Sequence, residues 1–279
     1  MSAHLFYQPI LLAAGVIITG LFACKKEGVP NTSMESGDQK LTKVTGKMRL
    51  GDKDYDFETI NFKYNTAGKI IQEGSKTYVR DELERIVAIN DPSSKTNRRH
   101  ISIYYEEKQS NNIAYSIAEW GNGIRGIDST VYFHDGYGRL AKTETYIHQF
   151  ASTEITTFGQ QTVSDTTYKS EHALYSFDSE GNLKTRLVYR YSYQGNAKLC
   201  VVDAFQDYLP SVNPQYSEDE IRLVSNDPQF YGTLNSCKNN FSATDKFSKV
   251  FEYRKDGRPS GCKVLDNGKL SFTLQYTYE

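Results

Sequence analysis

Four groups of residues have types and spacings from which chemistry could be built. His134-Asp135 sets an imidazole beside a carboxylate, the pairing that general acid–base catalysis uses. Asp52-Lys53-Asp54-Tyr55-Asp56-Phe57-Glu58 puts four carboxylates at period two. An extended backbone gathers them on one face, where calcium is the tempting ligand. Gly121-Asn122-Gly123-Ile124-Arg125-Gly126 matches the dinucleotide pattern G-x-G-x-x-G letter for letter. Cys24, Cys200, Cys237 and Cys262 supply thiols.

The elements that must position these groups argue against most of them. The glycine pattern holds a pyrophosphate only where a strand feeds a helix N-terminus. Here Ile127-Asp128-Ser129-Thr130-Val131-Tyr132-Phe133 reads as a second strand, so the glycines form a hairpin loop. A calcium loop starting at Asp52 needs Gly where Phe57 stands and Glu where Lys63 stands. The acidic stripe therefore reads as a solvent-facing strand edge whose charge discourages edge-to-edge pairing. His100, His134, His148 and His172 show neither H-E-x-x-H nor paired Cys/His spacing, which leaves no zinc signature. No G-x-S-x-G elbow occurs. No catalytic, cofactor-binding or metal-ligating residue is nominated, and no cofactor is expected. Glycosidase carboxylates pair in space rather than in sequence and would leave no signature. The single tryptophan, Trp120, argues against a sugar site built on tryptophan platforms.

Cys24 is different, because its context is specific. An uncharged apolar run, residues 10–23, ends at Cys24 and gives way at once to Lys25-Lys26-Glu27. The run is too short to span a bilayer, which takes roughly 20 apolar residues, and suits the apolar region of a signal peptide. Leu21-Phe22-Ala23-Cys24 resembles a bacterial lipobox. That resemblance implies cleavage before Cys24 and acylation of its thiol and new amine; the competing reading is an uncleaved anchor helix. Residues 1–23 are then a signal peptide with its helix, and Cys24 attaches lipid. Cys200, Cys237 and Cys262 remain, allowing one disulfide among them without indicating which pair, or three reduced thiols.

The 279 residues carry a net charge of -1, so no concentrated positive field exists for nucleic acid. With 21 Tyr and 14 Phe against 3 Met, the composition suits half-buried pleated surfaces. Residues 24–43 hold almost no large apolar side chain and read as a flexible tether. From residue 44 alternation dominates, as in Ile60-Asn61-Phe62-Lys63-Tyr64, Ile101-Ser102-Ile103-Tyr104-Tyr105 and Phe272-Thr273-Leu274-Gln275-Tyr276. An aromatic pair, a polar turn with Gly, and a basic or polar residue followed by a second strand recur around Gly68, Gly138, Gly181 and Gly257. A degenerate copy spans residues 78–86. Residues 203–248 interrupt the pattern as a long insertion, with a loop at 208–214, a short helix at 217–224 capped by Ser217, and a turn-rich stretch at 235–240.

These hairpins resemble the YD repeats of Rhs-type proteins, and more closely the β-hairpin lipoproteins of unknown function common in Bacteroidota, some with a porin-like fold. The resemblance implies an all-β domain over residues 44–279: a long antiparallel meander, strongly curved or barrel-like. The uneven glycine spacing disfavours a regular Rhs shell.

The function expected is that of a lipid-anchored envelope protein, non-enzymatic, acting as a binding or structural module. Its partners are the membrane, through acylated Cys24, and an envelope protein or a glycan. The alternatives are a glycan-acting hydrolase and a carrier enclosing an apolar ligand. Charged strands within residues 76–100 speak against an integral barrel, and the missing acidic run after Cys24 favours a periplasm-facing orientation.

Overall fold

The computed structural model describes residues 39–279 apart from 93–97, 121–125, 150–151, 157–158, 164–165, 193, 214–238 and 245–246. Cys24, the signal segment and most of the tether lie outside the described residues, as does the helix expected at 217–224. Among the described residues there are eighteen strands and no helix. The first nine are β1 (Leu41–Leu50), β2 (Lys53–Tyr64), β3 (Ile70–Glu73), β4 (Lys76–Arg80), β5 (Ile86–Asn90), β6 (Arg98–Tyr105), β7 (Ile113–Trp120), β8 (Gly126–His134) and β9 (Leu140–Gln149). The rest are β10 (Ser152–Thr156), β11 (Gly159–Val163), β12 (Thr166–Phe177), β13 (Leu183–Tyr191), β14 (Ala197–Val212), β15 (Asn239–Thr244), β16 (Phe247–Tyr253), β17 (Pro259–Asp266) and β18 (Lys269–Tyr278).

All pairings are antiparallel and follow chain order, except that β9 pairs β12 around a separate β10–β11 hairpin and β1 pairs both β2 and β18. The strand order thus returns on itself, though not as one uninterrupted ladder. Along β2, residues 53–61 pair β1 while Phe62–Tyr64 pair β3. Along β14, residues 197–204 pair β13 while the partners from Phe205 to Val212 lie on β15. These two long strands pass from one sheet to the other, as strands do at the corners of packed sheets. One core serves both sheets, with Val44, Phe272 and Leu274 from one and Ile86, Ile103 and Tyr132 from the other.

The repeats explain how the meander turns. In each, the first turn residue donates its N–H to the carbonyl of the fifth and accepts from the N–H of the fourth: Asn65, Asp81, Asp135, Asp178 and Arg254 all do this at 2.8–3.2 Å. The fourth residue takes positive φ, as at Gly138 (73°) and Gly181 (87°), and Glu84 (62°) does so in the degenerate copy. This is a three-residue hairpin loop closed by a glycine bulge. The bulge shifts the register so that the first residue of the return strand turns inward, and Ile70, Ile86, Leu140 and Leu183 are all buried there.

A second contact locks neighbouring repeats. Tyr105 donates its hydroxyl to the Ile86 carbonyl at 2.9 Å, Tyr278 to that of Pro259 at 2.9 Å, and Tyr208 to that of Leu183. The turn arginine lies over the same or an adjacent aromatic ring: Arg85 on Tyr105 at 4.3 Å, Arg139 on Phe177 at 5.6 Å, Arg258 on Tyr278 at 5.8 Å. A meander sends alternate turns to one end, so all five repeat turns share an end with both described termini. There Lys40 and Glu279 exchange backbone hydrogen bonds of 2.7 and 3.1 Å.

Two expected boundaries move. β1 begins at Leu41, inside the expected tether, because Leu41 is a core residue whose carbonyl accepts the Tyr64 hydroxyl at 2.7 Å. The loop expected at 208–214 is mostly strand, since β14 runs to Val212. Pro210 is tolerated because it falls in the irregular stretch between the pairs Tyr208↔Phe241 and Val212↔Asn239, where no ladder N–H is required. The interruption of the hairpin pattern is therefore shorter than 203–248.

Candidate functional site: the outer face of β5 to β13

The residues nominated from sequence do not converge. Gly126 opens β8, which pairs antiparallel with β7, so the glycine run joins two strands and no helix follows it. Asp52, Asp54 and Asp56 are exposed, and Asp54 accepts from Arg49 at 3.0 Å. Among the described residues no cluster of three His, Cys, Asp or Glu side chains has metal-binding geometry. Asp135 is committed to its turn: its Oδ1 accepts the N–H groups of Tyr137 and Arg139 at 2.9 and 3.0 Å, and its Oδ2 meets the Arg139 guanidinium at 2.8 Å. The bond from the Arg139 backbone, followed by that from its side chain, holds the Asp135 carboxyl below its ordinary range. His134 Nδ1 stands 3.5 Å from Glu106 Oε1, so its partner is not Asp135. Cys200 is exposed and Cys262 buried, each with a free thiol, so these two do not bond each other; Cys237 lies outside the described residues.

The structure instead assembles polar chemistry that alternation alone hides. Thr143, Ala173 and Val188 point into the interior and are buried. Their neighbours Lys142, Glu144, His172 and Tyr189 consequently share the opposite, outer face. Register then aligns Tyr115, Val131, Glu144, His172 and Tyr189 across β7, β8, β9, β12 and β13. Lys142 and Lys169 both donate to Oε1 of Glu144, at 2.9 and 2.6 Å, while the Tyr146 hydroxyl takes Oε2 at 2.9 Å. The bonds from Lys169 and then Lys142 hold the Glu144 carboxyl down to about 2. His172 stacks on Tyr189 with centroids 4.5 Å apart and planes 12° from parallel, and its Nδ1 lies 2.7 Å from the Tyr191 hydroxyl. Burial, and then the charge of Lys169, lowers the His172 imidazole below its ordinary range.

Two further histidines sit on this face. His100 Nδ1 meets Asn90 Oδ1 at 2.7 Å while its Nε2 lies 3.2 Å from Ser102 Oγ. His148 Nε2 meets Ser129 Oγ at 2.8 Å and its Nδ1 meets Thr167 Oγ1 at 3.0 Å. Each set has a hydroxyl, a base and an orienting group, the outline of an activated nucleophile. Acyl transfer also requires donors aimed at the developing oxyanion. The backbone around Ser102 is committed to ladders on both sides, Ala88 on β5 and Ile117 on β7.

Sequence reasoning missed these groupings because each is completed by a cross-strand contact: Lys169 to Glu144, His172 to Tyr191, Asn90 to His100 and Ser129 to His148. The only local trace is the alternation of Lys142, Glu144, Tyr146 and His148 along one strand.

No family model matches the chain, and no curated protein does. A crystal structure of a porin-like protein from Bacteroides vulgatus ATCC 8482 superposes with a TM-score of 0.53 at 16% identity, covering 87% of this chain and 99% of that one. The chain is similar in fold to a porin-like protein. A second porin-like protein, from Bacteroides uniformis ATCC 8492, aligns over 86% of this chain and 96% of its own at 10% identity, with a TM-score of 0.36. A chain of the Photorhabdus luminescens Tc holotoxin pore aligns over 82% of this chain but 11% of its own length, at 13% identity and a TM-score of 0.30.

Proposed function

We propose that the chain is a lipid-anchored envelope protein whose β body stands outside the bilayer and acts as a binding module rather than as a channel. One observation carries this reading: the interior is dominated by apolar side chains, with the ion pair from buried Arg186 to Asp203 among its charged groups, whereas a barrel that spans lipid keeps a polar lumen. Such a barrel turns an apolar band outward and keeps polar groups within. Here Val44, Ile60, Phe62, Ile89, Ile103 and Phe272 are buried in the core. The charged pair Lys263–Glu252 lies on the opposite face, Lys263 standing between the buried Cys262 and Val264. Lipid contact would strip solvent from those charges at a cost of about 2–4 kcal/mol for a midplane Lys or Arg.

The anchor fits this placement. The described N-terminus lies at the end occupied by the repeat turns, so a tether from Cys24 would leave from there and present the flank of the sheet to its surroundings. Metabolic labelling with palmitate tests the anchor. The wild-type chain should label and Cys24→Ala should not; label retained by Cys24→Ala would remove the anchor from the account.

A further inference from the structure

We propose that the outer face of β9, β12 and β13 binds an acidic saccharide, its carboxylate held between Lys142 and Lys169 and its ring seated beside His172 and Tyr189. This rests on the binding-module reading and names the ligand class. Two ammonium groups converge on a single oxygen of Glu144, so the cluster carries one positive charge more than its carboxylate neutralises. The Arg190–Glu171 pair on the neighbouring residues, at 3.2 Å, is balanced within itself and has the opposite strand parity. Each ammonium has three N–H donors and spends one on Glu144, leaving four for an incoming oxyanion. Both lysines are held in place by ring faces, Lys142 over Phe133 at 4.3 Å and Lys169 over Tyr191 at 5.4 Å.

The aromatic groups distinguish a sugar acid from a bare anion. The parallel His172 and Tyr189 rings form a flat block beside the lysines, and the C–H face of a pyranose, slightly positive, complements the negative face of such rings. His172 uses Nδ1 on Tyr191, which leaves Nε2 for a sugar hydroxyl. Val131 and Tyr115 continue the same row, and Tyr115 stacks on Tyr104 at 4.4 Å with both rings partly exposed. A row of this length suits several linked sugars rather than one.

The test is calorimetric titration of the purified full chain with an oligogalacturonate, with a neutral galactose oligomer of equal length, and with inorganic phosphate. The acidic oligomer should bind, with affinity falling as salt rises, and the neutral one should bind at least tenfold more weakly. Lys142→Gln and Lys169→Gln should each weaken binding about tenfold, as expected for loss of a charge-assisted contact. Thermal unfolding of both variants checks that they remain folded. Absence of binding, equal affinity for the neutral oligomer, or wild-type affinity in both variants would overturn the proposal. Phosphate bound as tightly as the oligomer would overturn the saccharide assignment. Palmitate labelling of Cys24 is unaffected by all of these results, so the anchor stands or falls separately.

Discussion

The turn at Asp135-Gly136-Tyr137-Gly138-Arg139 contains two glycines two residues apart, for which the geometry predicts opposite effects on substitution by alanine. Gly138 has a φ of 73°, whereas Gly136 is outside the left-handed region. A Cβ at Gly136 would meet nothing within 4 Å, and one at Gly138 would meet Asn112 Oδ1 at an ordinary 3.7 Å. Space therefore separates the two sites little and backbone conformation decides. Alanine at either position removes freedom from the unfolded chain, which stabilises by about 0.4–1 kcal/mol. At Gly138 the left-handed conformation adds a cost of about 1–2 kcal/mol. Gly136→Ala should thus raise the melting temperature slightly and Gly138→Ala should lower it. Their separation should be about 2–8 °C, at roughly 2–4 °C per kcal/mol for a body of this size. Differential scanning calorimetry of the two variants reads this directly. Equal shifts would refute the turn geometry on which the repeat reading depends.

Ile86 opens the return strand of the degenerate repeat with no exposed surface. Ile86→Ala should destabilise by about 2–5 kcal/mol in denaturant titration. Glu144 is held down to about 2 from an ordinary 4.5, so the stability it contributes is present above pH 4.5 and lost as pH falls through about 2. Glu144→Gln should flatten the stability profile across that window, as measured by urea unfolding at stepped pH. Among the described thiols, burial pushes Cys262 up to about 11 while Cys200 is exposed. A thiol reagent at pH 8 should modify Cys200 in the native protein and Cys262 only after unfolding, as read by peptide mass spectrometry.

Much of the fold was legible from local sequence because its repeating unit is local. The aromatic pair, the turn glycine and the basic or polar residue at the fifth turn position each act within one hairpin, and Phe62, Gly68, Gly138, Gly181 and Gly257 read correctly on that basis. The degenerate copy keeps the aromatic Tyr78, the turn Asp81, the basic Arg85 and the apolar Ile86, and in the structure Glu84 supplies the positive φ that glycine supplies elsewhere. What escaped was set by distant partners. Pro210 reads as a loop residue until the irregular pairing with β15 makes room for it. Lys142, Glu144, His172 and Tyr189 lie on three strands up to 47 positions apart. The approach of Lys169 to the Glu144 carboxylate depends on the register shift between Lys169 and Glu171. Without that shift Lys169 would turn to the other face.

The central claim is that the β body stands outside the bilayer and is held there by lipid on Cys24. Exchanging residues 1–24 for a cleavable secretory signal, then washing membranes with alkaline carbonate, tests this most directly. The account predicts that the exported body is recovered entirely in the soluble fraction while the native chain stays with the membrane. A body that remains embedded without Cys24 would contradict it.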